Sequence, residues 1–236
     1  MSQRHSLVGT GLYSPYEAAR LLRLDLRSVR RWLKGSSRKT KNGLSITPPL
    51  WSLQYCDDEE IGDRHVLGFK DLMELRVVAR LLDQGVALQT VRAAIQLARE
   101  QMGPYPLQSR RFLSDGKRIF MDIVGIDGQP SRLLDVQARQ LVLDSVIRPS
   151  LFDGVEFDAD GNSRRWFPVP NERVVVLDPA RCFGEPILTR INVSTETLFL
   201  SHRAEGGNID FVSRIWRVTP DEVMAAVAYE ERLAAA

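Results

Sequence analysis

The chain is short of the residues that most often announce chemistry. It has two cysteines, Cys56 and Cys182, and three histidines, His5, His65 and His202, in 236 residues. All five are far from one another in sequence, so neither a zinc site nor a Cys-His nucleophile is indicated. No cofactor and no metal are expected. No apolar run approaches the roughly 20 residues that a membrane span needs. Nothing before Ser14 reads as a secretory leader, and a cytoplasmic, bacterial-style protein is the expectation. Internal repeats are absent, as is low complexity apart from the final alanines. Strong net charge is lacking too, with 32 Lys and Arg against 30 Asp and Glu.

That neutrality hides a segregation. Residues 1–43 carry ten basic side chains (Arg4, Arg20, Arg23, Arg27, Arg30, Arg31, Lys34, Arg38, Lys39 and Lys41) against Glu17 and Asp25, a local charge of +8. Residues 193–236 carry four basic and seven acidic side chains, or −3. One basic end on a near-neutral chain is the electrostatic footprint of nucleic-acid binding by one domain.

The basic end has a matching pattern. Ser14-Pro15 reads as an N-cap followed by proline at the first helical position, where a missing N–H costs nothing. Ala18, Ala19, Leu21 and Leu22 form an apolar stripe, Arg23-Leu24 a connection, and Asp25 a second N-cap. In the second helix Leu26, Val29 and Leu33 share one side by their spacing, which directs Arg27, Ser28, Arg30, Arg31 and Lys34 elsewhere. Such a helix packs on the first and still offers guanidinium groups, whose planar fork suits guanine edges and phosphates. A solvated charged face on an ordinary helix pair is the plainer alternative. Residues 35–43 form a basic turn and Leu44 to Thr47 a short strand, together a wing from which Arg38, Lys39 and Lys41 reach phosphates.

Two amphipathic helices follow, one from Leu67 to Gly85 and one from Val86 to about Met102. With Tyr13, Ala19-Arg20, Val29-Arg30-Arg31-Trp32, the wing, Phe69-Lys70-Asp71-Leu72, Leu75 and Gly85-Val86-Ala87-Leu88-Gln89-Thr90-Val91-Arg92, residues 11–100 resemble the MerR-type winged helix. One departure stands out, for MerR regulators continue into a long dimerising helix and here Gly103-Pro104-Tyr105-Pro106 breaks the chain.

Residues 103–180 read as β-rich. A turn at Asp115-Gly116 precedes a β-prone run, a second turn sits at Asp127-Gly128, residues 133–142 are ambiguous, and 154–169 form a hairpin. Asp158-Ala159-Asp160-Gly161 fails as a calcium loop, which needs glycine at its sixth position and an acid at its twelfth, where Val169 stands. The run Asp57-Asp58-Glu59-Glu60 reads as a solvated loop. Asp122, Asp127, Asp135 and Asp144 have surface or turn roles, and no enzyme is expected.

The last section is helical, at about 194–205, 208–216 and 220–233, with Thr219-Pro220-Asp221-Glu222 capping the last helix. Gly184, Pro186, Ile187, Val193, Gly206-Gly207, Phe211-Val212, Thr219, Glu222-Val223 and Ala226 to Tyr229 resemble a small C-terminal domain long catalogued only as one of unknown function, a helix-turn-helix-like three-helix unit. The familiar pattern is broken at Leu188-Thr189-Arg190-Ile191-Asn192-Val193.

A MerR-like head joined to that tail resembles the VapB-type antitoxins paired with PIN-domain ribonucleases. The resemblance implies an α+β protein of three parts: a winged-helix DNA-binding head (1–102), a β-rich linker or dimerisation segment (103–180) and an antitoxin-type tail (181–236), the head folding without the tail. It implies a homodimer that represses its own operon on double-stranded operator DNA, with recognition helices on the order of 34 Å apart, and that neutralises a PIN-type toxin. PIN nucleases gather acids around a metal, so an antitoxin arginine can occupy that site. Arg164, Arg165 and Trp166, or Arg203 and Arg214 beside Trp216, are the candidate anchors. Trp216 is also spaced as a core partner of Val212. The runner-up is a MerR-like one-component regulator with an effector pocket in residues 104–180.

Overall fold

The computed structural model describes residues 9–40, 43–58, 65–112, 116 and 149–235. Lys41, Asp122, Asp127, Asp135 and Asp144, the β-prone run after Gly116 and the ambiguous stretch 133–142 lie outside those residues.

Helix α1, Pro15–Leu22, starts where the sequence places it. Ser14 Oγ accepts from the Glu17 N–H at 3.2 Å, while the Glu17 carboxylate accepts from the Ser14 N–H at 2.7 Å. These reciprocal bonds satisfy two of the donors that a helix start leaves free. It ends on Arg23 in the left-handed region, at φ 55°. Helix α2, Leu26–Lys34, then opens on Asp25, whose carboxylate accepts from the Ser28 N–H at 2.8 Å. That bond holds the Asp25 carboxyl below its usual range.

Strands β1, Ser36–Thr40, and β2, Gly43–Thr47, form an antiparallel hairpin directly after α2. Gly35 joins α2 to β1 at φ 72°, and a Cβ there would collide with the Thr47 carbonyl. The pairing begins at Ser36, so the basic residues 38 and 39 sit in a strand and not in a loop.

Helices α3, Phe69–Asp83, and α4, Leu88–Met102, pack behind the pair. Asp71 is fully buried and accepts from Trp51 Nε1 at 2.9 Å, the Gln54 N–H at 3.0 Å and the Gly68 N–H at 2.9 Å, which ties the loop after the hairpin to α3. After α4 the chain turns at Gly103, φ 85°, and folds back. Gln108 is the clasp. Its N–H donates to Glu74 Oε1 at 3.0 Å, and its side-chain oxygen accepts from the Ser163 N–H at 2.8 Å.

The second sheet is an antiparallel meander in chain order: β3 Val155–Phe157, β4 Ser163–Trp166, β5 Val175–Leu177 and β6 Pro186–Leu188. Asp158 and Gly161 make the β3–β4 turn, where Asp158 Oδ1 accepts from the Asn162 N–H at 2.8 Å. The alternation along β5 splits its faces. Val175 and Leu177 join the main core, and Val176 packs with Phe167 and Ile187 on the other side.

Helices α5, Thr195–Ala204, α6, Ile209–Trp216, and α7, Pro220–Ala234, complete the chain. Leu198, Val212, Val218, Val223 and Ala226 give them a core of their own. Helices and two antiparallel sheets make the protein α+β. The main core crosses residues 102 and 180, for Trp166, Val169, Tyr229 and Leu233 belong to the same buried cluster as Val29, Leu72 and Val91. Among the described residues no helix is long and apolar enough to cross a membrane.

Candidate nucleic-acid interface

Helix α2 is fixed by one face. Val29 is completely buried, Trp32 and Leu33 nearly so, and the Trp32 carbonyl accepts from the Leu50 N–H at 2.8 Å. Apolar side chains of this size each contribute about 1.5–3 kcal/mol when buried, so the helix cannot rotate without losing them. The opposite face is thereby set. Arg27, Arg30, Arg31 and Lys34 are all exposed, and their spacing places them on one stripe roughly 10 Å long. Ser28 is half-buried, with its N–H committed to the Asp25 cap and its hydroxyl 3.4 Å from Arg31 Nη2. Among the described residues none of the four cations forms an ion pair.

The hairpin adds two more cations in a different arrangement. Arg38 pairs with Ser45 and Lys39 with Leu44, so their side chains leave opposite faces of the ribbon. Both are exposed. The Lys39 face also bears Leu44 and Ile46, 61% and 69% exposed. The third expected hairpin cation, Lys41, lies outside the described residues.

The residues expected to hold a toxin are dispersed. Arg164 is exposed on β4. Its neighbour Arg165 is engaged, with Nε 2.6 Å from Glu156 Oε2 on the facing strand and its guanidinium 5.4 Å from the centre of the Phe167 ring. Trp166 requires correction as an anchor. It is 6% exposed, belongs to the main core and has the Arg76 guanidinium 5.2 Å from its ring centre, so its indole is not available to anchor a protein partner. Arg203, on α5, is exposed with its guanidinium 5.7 Å from the Phe199 ring, and Arg214 is exposed on α6. Trp216 packs on the tail core and donates to Ser201 Oγ at 3.0 Å.

Sequence reasoning missed the apolar residues beside these arginines. Leu200 and Ile215 are both 55% exposed, next to the Ser201–Trp216 bond that joins α5 to α6. An isolated leucine or isoleucine at helical spacing reads as core, so only exposure could single them out. Also missed was the seam behind α2. The Leu12 N–H donates to the Phe183 carbonyl at 3.0 Å, and Tyr13 Oη donates to the Gly184 carbonyl at 2.8 Å. Gly184 sits at φ 81°, and a Cβ there would strike the Tyr13 hydroxyl. Arg20 Nη1 lies 3.0 Å from Glu230 Oε2, and Arg23 Nη2 donates to the Arg232 carbonyl at 3.1 Å. Two residues quoted for the family resemblances, Tyr13 and Gly184, thus touch each other. Among the described residues no three His, Cys, Asp or Glu side chains gather as metal ligands.

No family model matches the chain. Along nearly its whole length it is similar to a Mycobacterium tuberculosis protein named "Putative antitoxin VapB45", with 25% identity over 227 residues, 92% of each chain. Over 59 residues it is 36% identical to proteins of Mycobacterium bovis and Mycobacterium tuberculosis named as uncharacterized HTH-type transcriptional regulators, covering 25% of this chain and 26% of each relative. The crystal structure of Rv2018 from Mycobacterium tuberculosis shares the fold, with a TM-score of 0.68 over 91% of this chain and 96% of that one at 21% identity.

Proposed function

We propose that the chain is a non-catalytic antitoxin that binds its own promoter through α2 and the β1–β2 hairpin, read as a MerR-like winged helix, and neutralises a PIN-type ribonuclease through its tail. One observation carries the DNA half: four exposed cations, without ion-pair partners among the described residues, lie on the single face of a helix whose other face is locked in the core. Arginine and lysine arranged this way supply phosphate contacts and bidentate base contacts without refolding the scaffold. The hairpin adds phosphate contacts from Arg38 and Lys39. A homodimer on a two-fold operator would present two such stripes.

The toxin half is supported by the end-to-end similarity to a protein named as an antitoxin and by the character of the tail surface. Arg203 and Arg214 flank the exposed Leu200 and Ile215, a mixture of guanidinium and apolar area suited to an acidic nuclease mouth. Because Tyr229 and Leu233 help to build the main core, removing the tail would confound binding with folding. Point changes are the proper test. Co-expression with the product of the adjacent reading frame should yield a co-purifying complex and relieve that product's RNA cleavage. The double change Arg203→Glu and Arg214→Glu should abolish the relief while promoter binding persists. An adjacent product that neither co-purifies nor cleaves RNA would remove the toxin half, and promoter binding no tighter than random duplex would remove the DNA half.

A further inference from the structure

Between α1, α3, α7 and the segment after β4 lies a cavity of about 260 Å³ whose wall is unusually cationic. Arg23, Arg76, Arg80 and Arg232 line it against a single acid, Asp83. None of the four arginines forms an ion pair among the described residues. Arg76 is 3% exposed and spends Nη1 and Nη2 on the carbonyls of Leu151 and Asp153, with the Asp153 carboxylate as an opposing charge nearby. Among the described residues its Nε has no partner. Burial, and then the charge of Arg80, push the Arg76 guanidinium down to about 10. Tyr229 is 4% exposed, and among the described residues its hydroxyl has no partner either. Both unbonded atoms are sealed from solvent, so the charged groups open to an occupant are those of the exposed Arg23, Arg80 and Arg232. The remaining wall is apolar, with Leu21, Trp166, Val169 and Leu233 among its members.

We propose that this cavity is a binding site for a small organic anion, its carboxylate or phosphate group held by the Arg23, Arg80 and Arg232 guanidinium groups, and its apolar body laid against Leu21, Trp166 and Leu233. The site is distinct from the α2 stripe and does not depend on the antitoxin reading. Its place in the fold gives it leverage. Arg23 is the hinge residue between α1 and α2, whereas Tyr229 and Arg232 belong to the last helix, so an occupant joins the helix pair to the tail. A ligand that binds the folded state alone raises the unfolding temperature.

The test uses the full-length protein titrated calorimetrically with phenyl phosphate, benzoate and inorganic phosphate, with thermal unfolding measured in parallel. Phenyl phosphate and benzoate should bind saturably and raise Tm, and inorganic phosphate should bind at least tenfold more weakly. Arg232→Gln removes an exposed guanidinium, so the free protein should unfold within a degree or so of the parent while affinity falls about fivefold or more. Arg80→Gln should cost about tenfold, and Arg38→Gln on the hairpin nothing. No saturable binding by either organic probe overturns the proposal, as does unchanged affinity in both cavity variants. Inorganic phosphate binding as tightly as phenyl phosphate overturns the apolar subsite. If both cavity variants weaken binding to random duplex DNA and leave the probes unaffected, the cavity is a DNA contact and the proposal fails.

Discussion

The edge formed by α2 with the hairpin and the interior behind it treat charge in opposite ways. On the edge Arg27, Arg30, Arg31 and Lys34 are exposed and, among the described residues, without ion pairs. In the interior Asp71, Glu74 and Glu230 are buried, and each is tied by hydrogen bonds to a different part of the chain. Burying an ionisable group costs several kcal/mol unless it is neutral or its bonds are made, so the interior carboxyls persist as fasteners. Cations left in water cost little and contribute little to folding. Their concentration on one face is therefore better explained by what they meet than by what they hold together.

Interior substitutions should therefore cost stability, and edge substitutions should cost binding alone. The largest effect is expected at Glu74, which is completely buried, bonded through Oε1 to the Gln108 N–H and, among the described residues, unbonded at Oε2. Burial raises its carboxyl to about 8. The unfolded chain ionises near the ordinary value, so folding stability falls as pH rises from about 5 to about 8, by up to about 1.4 kcal/mol per pH unit. Glu74→Gln keeps the acceptor for Gln108 and should flatten that slope in denaturant titrations. A slope that survives the change would remove Glu74 from the interior fasteners.

Next comes the seam. Glu230→Ala deletes the Arg20 pair and leaves Thr195 Oγ1 without its carboxylate. Because Arg20 is about a quarter exposed, the loss should sit near the lower end for a broken buried pair, about 3 kcal/mol, measured by urea unfolding. A cost below 1 kcal/mol would make the seam no different from the surface.

On the edge, Arg27→Ala or Arg31→Ala should leave Tm within a degree or so of the parent. Promoter affinity should fall by about 1–3 kcal/mol, the worth of a bidentate base contact, and random duplex should be much less affected. Equal losses on both DNAs would reduce α2 to phosphate contacts. The smallest effect belongs to the hairpin. Lys39→Gln should weaken all duplexes alike and lower the salt dependence of binding by about 0.9 in the log–log slope. An unchanged slope would mean that the Lys39 face of the ribbon points away from DNA.

Much of the local architecture was legible in the amino-acid order because the interactions behind it span three or four residues. Ser14 with Glu17, Asp25 with Ser28 and Thr219 with Glu222 are such interactions, and each sets a helix start. The buried face of α2 was legible for the same reason, since helical spacing alone puts Leu26, Val29 and Leu33 together. Trp166 was not. It is buried in the main core with Arg76 of α3 over its ring, a partner that no local pattern connects to it. Arg38 and Lys39 were readable as basic, yet only the strand register separates them onto two faces.

By itself the sequence determined the helix boundaries, the basic end and the direction in which α2 presents its arginines, because caps and periodicity are short-range. Tertiary structure alone decided that Tyr13 meets Gly184, that Arg20 meets Glu230, and that four arginines line one cavity. Those contacts join residues far apart in the chain. Their formation depends on the closure of the shared core, and chain order carries no trace of it.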